Sequence, residues 1–594
     1  MPDGFLRRPF ERPGRTAVGG DPEPSRPAAD RPPTPADQHG ERPTAHRNPG
    51  GVRDGSGRTP AAPEPGVRAG PGAAPMSGPP SRRNARVMSK WPRVRRVLVV
   101  LGVVTSVLVV AVGATALWLW HDVEVSTAGG TVFRDEMAVP PLAASRVDRD
   151  GTRVFDLRMR QGTTEFRPGR PTPTWGFNGA HLGPTLRAAR GEKVRVEVSN
   201  TLPEASSVHW HGMRLPAEMD GGPHQTVRAG GRWSPHWTVE QPAATLWYHP
   251  HLHGSTEKHV QRGLAGMFLL DDEESGRLPL PKRYGVDDLP VIVQDVRFDG
   301  DRFDHAHRRF QGVGFLGNRV MVNGTLDPYR EVADERVRLR LLNASTARTY
   351  DFGFPDDRAF DQIATDGGLL ERPVEQRRIR LSPGERAEIV VRMVPGERTV
   401  LRSFPLRDGY AGALERRFGG GHDSFDILQL RAARTLRPSP ALPDRLTAPE
   451  LPDAADSVKE RHFDLALTGI NDKPMDMDRI DEVVTRGTTE TWTVRNDNGM
   501  PHNFHVHDVQ FRVLDVDGRT PPPALRGRKD TVLIPSGSRM RLVLRFDGTA
   551  DEDTPYMFHC HLLSHEDRGM MGQFVVVEPG GTARAPEAGD HGGH

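Results

Sequence analysis

Residues 191–200 read GEKVRVEVSN, in which valines alternate with charged and polar residues. Such strict alternation is typical of a β-strand that buries one face and exposes the other. The pattern recurs as DERVRLRLLN at 334–343 and as GTTETWTVRN at 487–496. Three copies in the same order, about 150 residues apart, indicate an internal repeat of β-sandwich domains.

A turn signal precedes each copy, at Asn178-Gly179, Asn323-Gly324 and Asn471-Asp472. After residue 130 the chain consists of short alternating runs bounded by Gly, Pro, Asn and Asp, which favours an all-β architecture. We therefore expect three sandwich domains of similar plan. Their predicted limits are 130–275, 288–435 and 459–580, with a Pro- and Ala-rich linker at 436–458 and a flexible tail at 581–594.

The N-terminal part of the chain has a different character. Residues 1–90 are rich in Pro, Gly and Arg and lack apolar periodicity, so we expect a disordered arm; a start of translation at Met76 or Met88 is the alternative. Residues 97–120 form an uncharged, mostly apolar run preceded by three arginines, long enough to cross a bilayer as a helix. The arginines place the N-terminus in the cytoplasm and the body outside the cell membrane. An uncleaved single-pass anchor is our preferred interpretation, and a cleaved signal, including a twin-arginine export signal, is the alternative.

The cysteine count and the charge distribution exclude several classes of protein. The 594 residues include one cysteine and 24 histidines, which excludes intramolecular disulfides and metal sites built from paired cysteines. Residues 1–96 carry 18 Lys/Arg against 9 Asp/Glu, so the remaining chain has a net charge of −7 within the total of +2. An acidic body disfavours nucleic-acid binding.

Histidines occur in four tight clusters. On a strand, residues i and i+2 share a face, so each His-x-His pair presents two imidazoles to one side, as a shared metal cluster requires. A single histidine is usually an ordinary surface or core residue, but four such pairs together indicate metal binding. The clusters comprise His209, His211, His249, His251, His253, His502, His505, His507, His559, His561 and His565.

The last cluster indicates which metal is bound. In His559-Cys560-His561, alternation sends the thiolate to one face and both histidines to the other. Cys560 with His502, His565 and Met570 gives the His₂Cys-plus-Met set of a blue-copper site. Zinc also fits a His/Cys site, but the methionine favours copper. His559 and His561 then belong to a second metal group, so the backbone at Cys560 gives an electron path between the two sites.

These motifs resemble those of the multicopper oxidases, which include laccases, bilirubin oxidases and bacterial cuprous oxidases. Over residues 130–580 the resemblance implies three cupredoxin-like Greek-key domains and four copper ions. It implies a type 1 site at His502, Cys560, His565 and Met570, and a type 2 site at His209 and His505. The implied type 3 pair is held by His211, His249, His251, His507, His559 and His561.

The resemblance also assigns two acidic groups and bears on the substrate. Asp220 and Glu566 match carboxylates that deliver protons to dioxygen in the family; taken alone, each is an ordinary turn or loop residue. Residues 436–458 contain no methionine, unlike the methionine-rich insert of many cuprous oxidases. The residue four before His502 is Asn498 rather than an acid, with Asp497 adjacent. Oxidation of phenols or other small organic reductants is therefore favoured over oxidation of Cu(I).

The sequence thus predicts a monomeric, membrane-anchored oxidase that passes single electrons from a small reductant to O2, which is reduced to water. We expect Asp220, Glu566 and Cys560 to take part in catalysis. The alternative from another class is a copper-free cupredoxin scaffold of the cell envelope, such as the cell-division proteins that keep this fold after losing ligands.

Overall fold

A single exposed helix precedes the β-sheets in the part of the chain that the structure describes. The structure is a computed structural model, and it describes residues 91–307 and 312–584. The expectations for the arm at 1–90 and for the tail beyond residue 584 lie outside those residues. Helix α1, Trp91–Asp122, spans the predicted apolar segment. Its stretch Arg93–Trp118 has 26 residues, a mean hydropathy of 2.8 and no burial against the body. It is therefore long and apolar enough to cross a membrane.

The first sandwich contains a six-stranded sheet, in which β1, β2, β5 and β6 are adjacent and β3 and β7 pair with β2 and β5. The facing sheet has the order β4-β9-β8. Two short helices, α2 and α3, lie on either side of β9 in the chain. The elements are β1 Ser145–Val147, β2 Arg153–Arg167, β3 Arg170–Phe177, β4 Leu186–Ala189, β5 Lys193–Asn200, β6 Arg232–Trp233, β7 His236–Thr238, β8 Ala244–Tyr248, α2 Thr256–Gln261, β9 Gly266–Asp271 and α3 Glu273–Arg277.

The second sandwich packs a seven-stranded sheet, β14-β13-β10-β16-β21-β18-β19, against the five-stranded sheet β15-β23-β22-β17-β20; β11 and β12 form a separate hairpin. The elements are β10 Asp288–Val296, β11 Phe298–Asp299, β12 Arg302–Phe303, β13 Arg319–Val322, β14 Thr325–Leu326, β15 Tyr329–Asp334, β16 Arg336–Asn343, β17 Tyr350–Gly353, β18 Phe360–Thr365, β19 Gly368–Gln376, β20 Arg378–Leu381, β21 Arg386–Arg392, β22 Arg398–Ser403, α4 Ala413–Phe418 and β23 Phe425–Arg437.

The third sandwich packs the sheet β24-β26-β30-β28 against the sheet β25-β32-β31-β27-β29. The elements are β24 Ser457–Leu465, β25 Glu482–Thr485, β26 Thr489–Asn496, β27 His502–Val506, β28 Arg512–Val516, β29 Thr531–Ile534, β30 Ser538–Arg545, β31 Asp551–His559, α5 Leu563–Glu566 and β32 Met571–Val577.

An apolar core lies between the two sheets of each sandwich, centred on residues such as Phe155, Leu339 and Trp492. The alternating stretches quoted above form β5, β16 and β26, each near the middle of its sheet. Their inward-facing residues supply the buried surface that drives folding. The predicted all-β sandwich architecture is confirmed.

The internal repeat is visible in the hydrogen bonds as well as in the sequence. Asn178, Asn323 and Asn471 all have φ values between 52° and 63°, in the left-handed region that asparagine tolerates. Each uses its side-chain amide to clamp a neighbouring strand: Oδ1 accepts from one backbone N–H, and Nδ2 donates to a carbonyl two residues earlier. These asparagines thus make the same pair of hydrogen bonds to β2, β10 and β24, one strand in each of the three sandwiches.

Candidate metal centre

Four chain segments from the first and third sandwiches deliver the clustered histidines. His209 and His211 follow β5 in a loop, and His249 and His251 directly follow β8. The first two segments are cross-paired, because the His209 N–H donates to the His249 carbonyl at 2.8 Å. In the third sandwich, β27 and β31 are adjacent antiparallel strands in which His505 faces His559.

The alternation of β27 and β31 separates two clusters. His505 and His507 point to one side of the sheet, whereas His502 points to the other. In the same way His559 and His561 leave Cys560 on the opposite side. The structure brings the Cys560 Sγ to 3.6 Å from His502 Nδ1 and 3.8 Å from His565 Nδ1. We call the group of His502, Cys560, His565 and Met570 the thiol cluster.

The thiol cluster is buried, with all four residues at most 1% exposed. The two Nδ1 atoms of His502 and His565 lie 3.2 Å apart, and His565 Nε2 donates to the Gly312 carbonyl at 2.7 Å, which leaves Nδ1 free to bind a metal. Burial raises the pKa of Cys560 to about 12 and lowers that of His565 to about 4. Met570 is tied to the cluster through its carbonyl, which accepts from the Cys560 N–H at 3.1 Å.

Eight of the nine other clustered histidines form a second buried group, which we call the imidazole cluster. In one set, His249 Nε2 lies 3.4 Å from His211 Nδ1 and 3.4 Å from His561 Nε2. In the other, His559 Nε2 lies 3.1 Å from His251 Nε2 and 3.3 Å from His507 Nε2. Such separations suit nitrogens that share one ion through bonds of about 2.0–2.1 Å.

His209 and His505 complete the imidazole cluster. Among the described residues, their Nε2 atoms are buried without a hydrogen-bond partner, whereas their Nδ1 atoms contact the backbone carbonyls of Asp220 and Asp530 at 3.1 and 2.8 Å. A buried polar atom without a partner is costly unless something binds it. The donor set therefore fits a metal ion between these two rings.

Two buried carboxylates lie against the outer nitrogens of this cluster. Asp220 places Oδ2 2.6 Å from His507 Nδ1 and Oδ1 3.4 Å from His209 Nδ1. Glu566 places Oε2 3.2 Å from His559 Nδ1 and Oε1 3.4 Å from His251 Nδ1. Burial alone opposes ionisation of Glu566, but His251 and His559 hold its pKa well below the usual range. Each carboxylate thus orients two rings so that their Nε2 atoms face inward.

Most of these imidazoles have a lowered pKa because of their surroundings. Burial, followed by repulsion between neighbouring rings, keeps the pKa of His211, His249, His505 and His507 well below the usual value. The same causes lower the pKa of His561 to about 3. Neutral imidazole is the form that binds a metal, so the cluster is prepared for one.

A third carboxylate, Asp530, was missed by the sequence reasoning. Its Oδ1 lies 3.1 Å from His211 Nε2, and its carboxylate accepts two hydrogen bonds from Arg386 of β21, at 2.6 and 2.7 Å. All three side chains are buried. The second sandwich therefore supports the imidazole cluster through Arg386, although it supplies none of the clustered histidines. Asp530 reaches the cluster because the next residue, Thr531, pairs with His505 across β29 and β27. That pairing is seen in the structure and not in the local sequence.

Three residues singled out in the sequence, Asp497, Asn498 and His253, lie outside the clusters. Asp497 is exposed and pairs with Arg495 at 3.1 Å, while the Asn498 side chain donates to the Leu465 carbonyl at 2.5 Å. Neither side chain hydrogen-bonds to His502. His253 is exposed, two residues beyond His251.

Comparisons with known proteins agree with this geometry. Two multicopper oxidase family models match residues 158–275 and 439–580. A multicopper oxidase of Staphylococcus haemolyticus is 34% identical over 463 residues, which cover 77% of this chain and 96% of that protein. The chain belongs to the multicopper oxidase family.

Two further relatives differ in their described roles. The cell division protein FtsP of Escherichia coli is 38% identical over 447 residues, covering 74% of this chain and 92% of that protein. Among solved structures, the laccase-like multicopper oxidase CueO of Ochrobactrum sp., described with activity towards lignin model compounds and lignosulfonate, superposes with a TM-score of 0.68 at 36% identity. That match covers 74% of this chain and all of the other.

Proposed function

We propose that this protein is an O2-reducing oxidase that binds four copper ions and takes single electrons from a small reductant. The thiol cluster would hold the type 1 ion; His209 and His505 would hold the type 2 ion; and the two sets of three imidazoles would hold the type 3 pair. The observation that carries the proposal is the convergence of all ten histidines and Cys560 into two buried clusters, with Met570 buried in the same core as Cys560.

Copper ions held there would supply one-electron steps and the four-electron reduction of O2 to water. Cys560 has a separate role, because its backbone joins it to His559 and His561 and so links the two clusters covalently. Electrons that enter at the thiol cluster therefore have a short bonded route to the imidazole cluster. Asp220 and Glu566 stand at the edges of that cluster, where buried carboxylates can accept and release the four protons that water formation consumes.

We favour a small organic reductant such as a phenol over Cu(I), since residues 436–458 carry no methionine and Asn498 stands where a cuprous oxidase would offer an acid. The similarity to an oxidase active on lignin model compounds supports this choice. We further propose that the protein is a monomer with α1 as a single-pass anchor and the three sandwiches outside the cytoplasm.

The copper-loaded protein tests the proposal. We expect a blue thiolate-to-copper absorption band and O2 uptake with a phenolic donor that exceeds uptake with Cu(I). Cys560→Ser should lose the blue band and O2 uptake together. Loss of the band with unchanged O2 uptake would contradict the mechanism, and faster turnover of Cu(I) than of a panel of phenols would reverse the choice of reductant.

The second candidate function is a copper-free scaffold of the cell envelope, and the similarity to FtsP supports it. Metal analysis separates the two candidates. A protein purified from the cell envelope that stays copper-free after incubation with copper would favour the scaffold, whereas four copper ions per chain would favour the oxidase.

A further inference from the structure

One segment of the second sandwich connects the end of α1 with the thiol cluster. We call residues 404–424, which contain α4, the bridging segment. At one end Arg417 of α4 stacks over the Trp120 ring, 4.5 Å from its centroid, and its Nε donates to the Trp120 carbonyl at 2.8 Å. Its Nη1 also pairs with Glu124 at 2.8 Å.

The chain that leaves α1 is held by the same segment. The Val125 N–H donates to Asp423 Oδ1 at 2.8 Å, and the Ser424 N–H donates to the Val125 carbonyl at 3.0 Å. The end of α1 is therefore fixed to the body by a buried arginine and by backbone hydrogen bonds, rather than by a free tether.

At its other end the bridging segment packs on the loop that leads into β27. The Ala411 N–H donates to the Gly499 carbonyl, and the Ser536 N–H donates to the Gly409 carbonyl, both at 3.0 Å. Glu415 of α4 lies against Gly499, since a Cβ built there would be 3.2 Å from its Cγ. Gly499 is three residues before His502.

The neighbouring residue Met500 packs against the apolar core that contains Cys560 and Met570. A Cβ built at Gly312 would lie 3.3 Å from the Met500 Cε, and the Gly312 carbonyl accepts the hydrogen bond from His565. The bridging segment thus contacts the loop that carries Met500 and leads to His502, and the same segment holds the end of α1.

The two exposed residues of α4, Ala413 and Leu414, are both apolar, whereas Glu415 and Arg416 are half-buried. Leu414 is 58% exposed, next to the position where Arg417 meets the tryptophan. Tryptophan at the end of an apolar helix favours the membrane–water interface. An exposed leucine on a short helix fixed beside that tryptophan is therefore placed where it can enter the same interface.

We propose that the bridging segment holds the side of the body next to the thiol cluster against the bilayer, and that the reductant is a hydroquinone dissolved in the membrane. This inference rests on the proposed function and on α1 as a retained anchor. Two hydroquinones each lose two electrons and the two protons of their O–H bonds and become quinones. One O2 takes up these four electrons and four protons and becomes two water molecules.

The experiment compares two substrates on full-length holoenzyme in phosphatidylcholine vesicles. One is a hydroquinone with a long polyprenyl tail, which stays in the bilayer, and the other is the same head group without the tail. Leu414→Glu should lower the initial rate with the tailed substrate about ten-fold, because it places a charge in the interface, and should leave the rate with the soluble head group unchanged.

The matched control is Val394→Glu. Val394 is 57% exposed, similar to Leu414. It lies before the first residue of β22, whereas the bridging segment begins after the last, and a strand of this length separates its two ends by about 20 Å. It should change neither rate. Ala413→Glu, on the same exposed turn as Leu414, supplies a second variant, and an unaltered blue band shows that each variant is folded.

The outcomes distinguish this inference from the function on which it rests. Oxidation of the soluble head group without oxidation of the tailed one, or equal rates for Leu414→Glu and Val394→Glu with the tailed substrate, would overturn the membrane inference alone. Failure to oxidise either hydroquinone, together with no O2 uptake, would overturn the proposed function itself.

Discussion

The thiol cluster and the imidazole cluster are neighbours along the chain, but they are built in different ways. All four residues of the thiol cluster come from the third sandwich, on β27, at the end of β31 and around α5. The imidazole cluster takes four histidines from the first sandwich and four from the third, and it is supported by Arg386 of the second. The first cluster takes all its side chains from one sandwich, and one hydrogen bond, from His565 to the Gly312 carbonyl, reaches the second sandwich, whereas the imidazole cluster forms only when the first and third sandwiches dock.

This difference predicts that the two clusters can be disabled separately. A change at the contacts that support the imidazole cluster should remove that cluster and leave the thiol cluster intact. A change within the third sandwich should affect the thiol cluster and leave the docking of the sandwiches intact. The effects of distant substitutions on the free energy of unfolding usually add. Unfolding and spectroscopic measurements together can therefore show which cluster a substitution affects.

Arg386→Met should have the largest effect. It removes the two hydrogen bonds and the positive charge that Arg386 gives the buried Asp530 carboxylate, which costs about 3–5 kcal/mol of unfolding free energy. We expect fewer copper ions in the imidazole cluster, lost O2 reduction and a retained blue band. Arg146→Met, which breaks the exposed pair with Asp156, is the control and should cost less than about 1 kcal/mol. Loss of the blue band and of all copper in Arg386→Met would show that the clusters are not separable.

Asp220→Asn and Glu566→Gln should lower turnover without releasing copper. Each amide keeps an oxygen that can accept from the imidazole N–H but cannot take up a proton, so we expect O2 uptake to fall about 10²–10⁴-fold. Copper content and O2 uptake across pH measure the two effects. Glu204→Gln is the control, because Glu204 contacts His259 at 2.8 Å, a pair outside both clusters. An equal fall in all three variants would refute a specific role in proton delivery.

The copper-free protein should lose stability as the pH is lowered from 7 to 5. Burial lowers the pKa of His251 and His561 to about 3 and that of His565 to about 4, all below the unfolded value of 6.5, so the unfolded chain binds protons that the folded chain does not. The contribution of these rings to the free energy of unfolding is therefore fully present above pH 6.5. Below that pH it falls by about 1.4 kcal/mol per pH unit for each ring kept neutral. Urea unfolding at several pH values measures this slope; a flat profile would show that the rings are protonated in the folded state.

Met570→Leu should have the smallest effect. Met and Leu have similar volumes, so the buried position should lose less than about 1.5 kcal/mol. We expect both clusters to keep copper while the blue band and the reduction potential of the type 1 ion change, since the axial ligand tunes that potential. Spectroelectrochemistry detects the shift, and identical potentials in the two proteins would place Met570 outside the coordination sphere.

The sequence predicted the features that follow from strand periodicity. The alternation in 487–496 indicates a strand, and the spacing of His559, Cys560 and His561 assigns their faces, because side chains on a strand alternate by geometry alone. Asp530, Arg386 and Arg417 could not be predicted in this way. Their partners lie 144 or more residues away, in another sandwich or at the end of α1, so they depend on docking rather than on local pattern.

The burial of Cys560 has a consequence for handling the protein before it meets copper. With a pKa near 12, the thiol stays protonated at neutral pH, and protonated thiols react slowly with oxidants and alkylating reagents. It is also the only cysteine in the chain. The rate at which a thiol reagent labels Cys560 in the copper-free protein therefore measures how often the third sandwich opens by local unfolding.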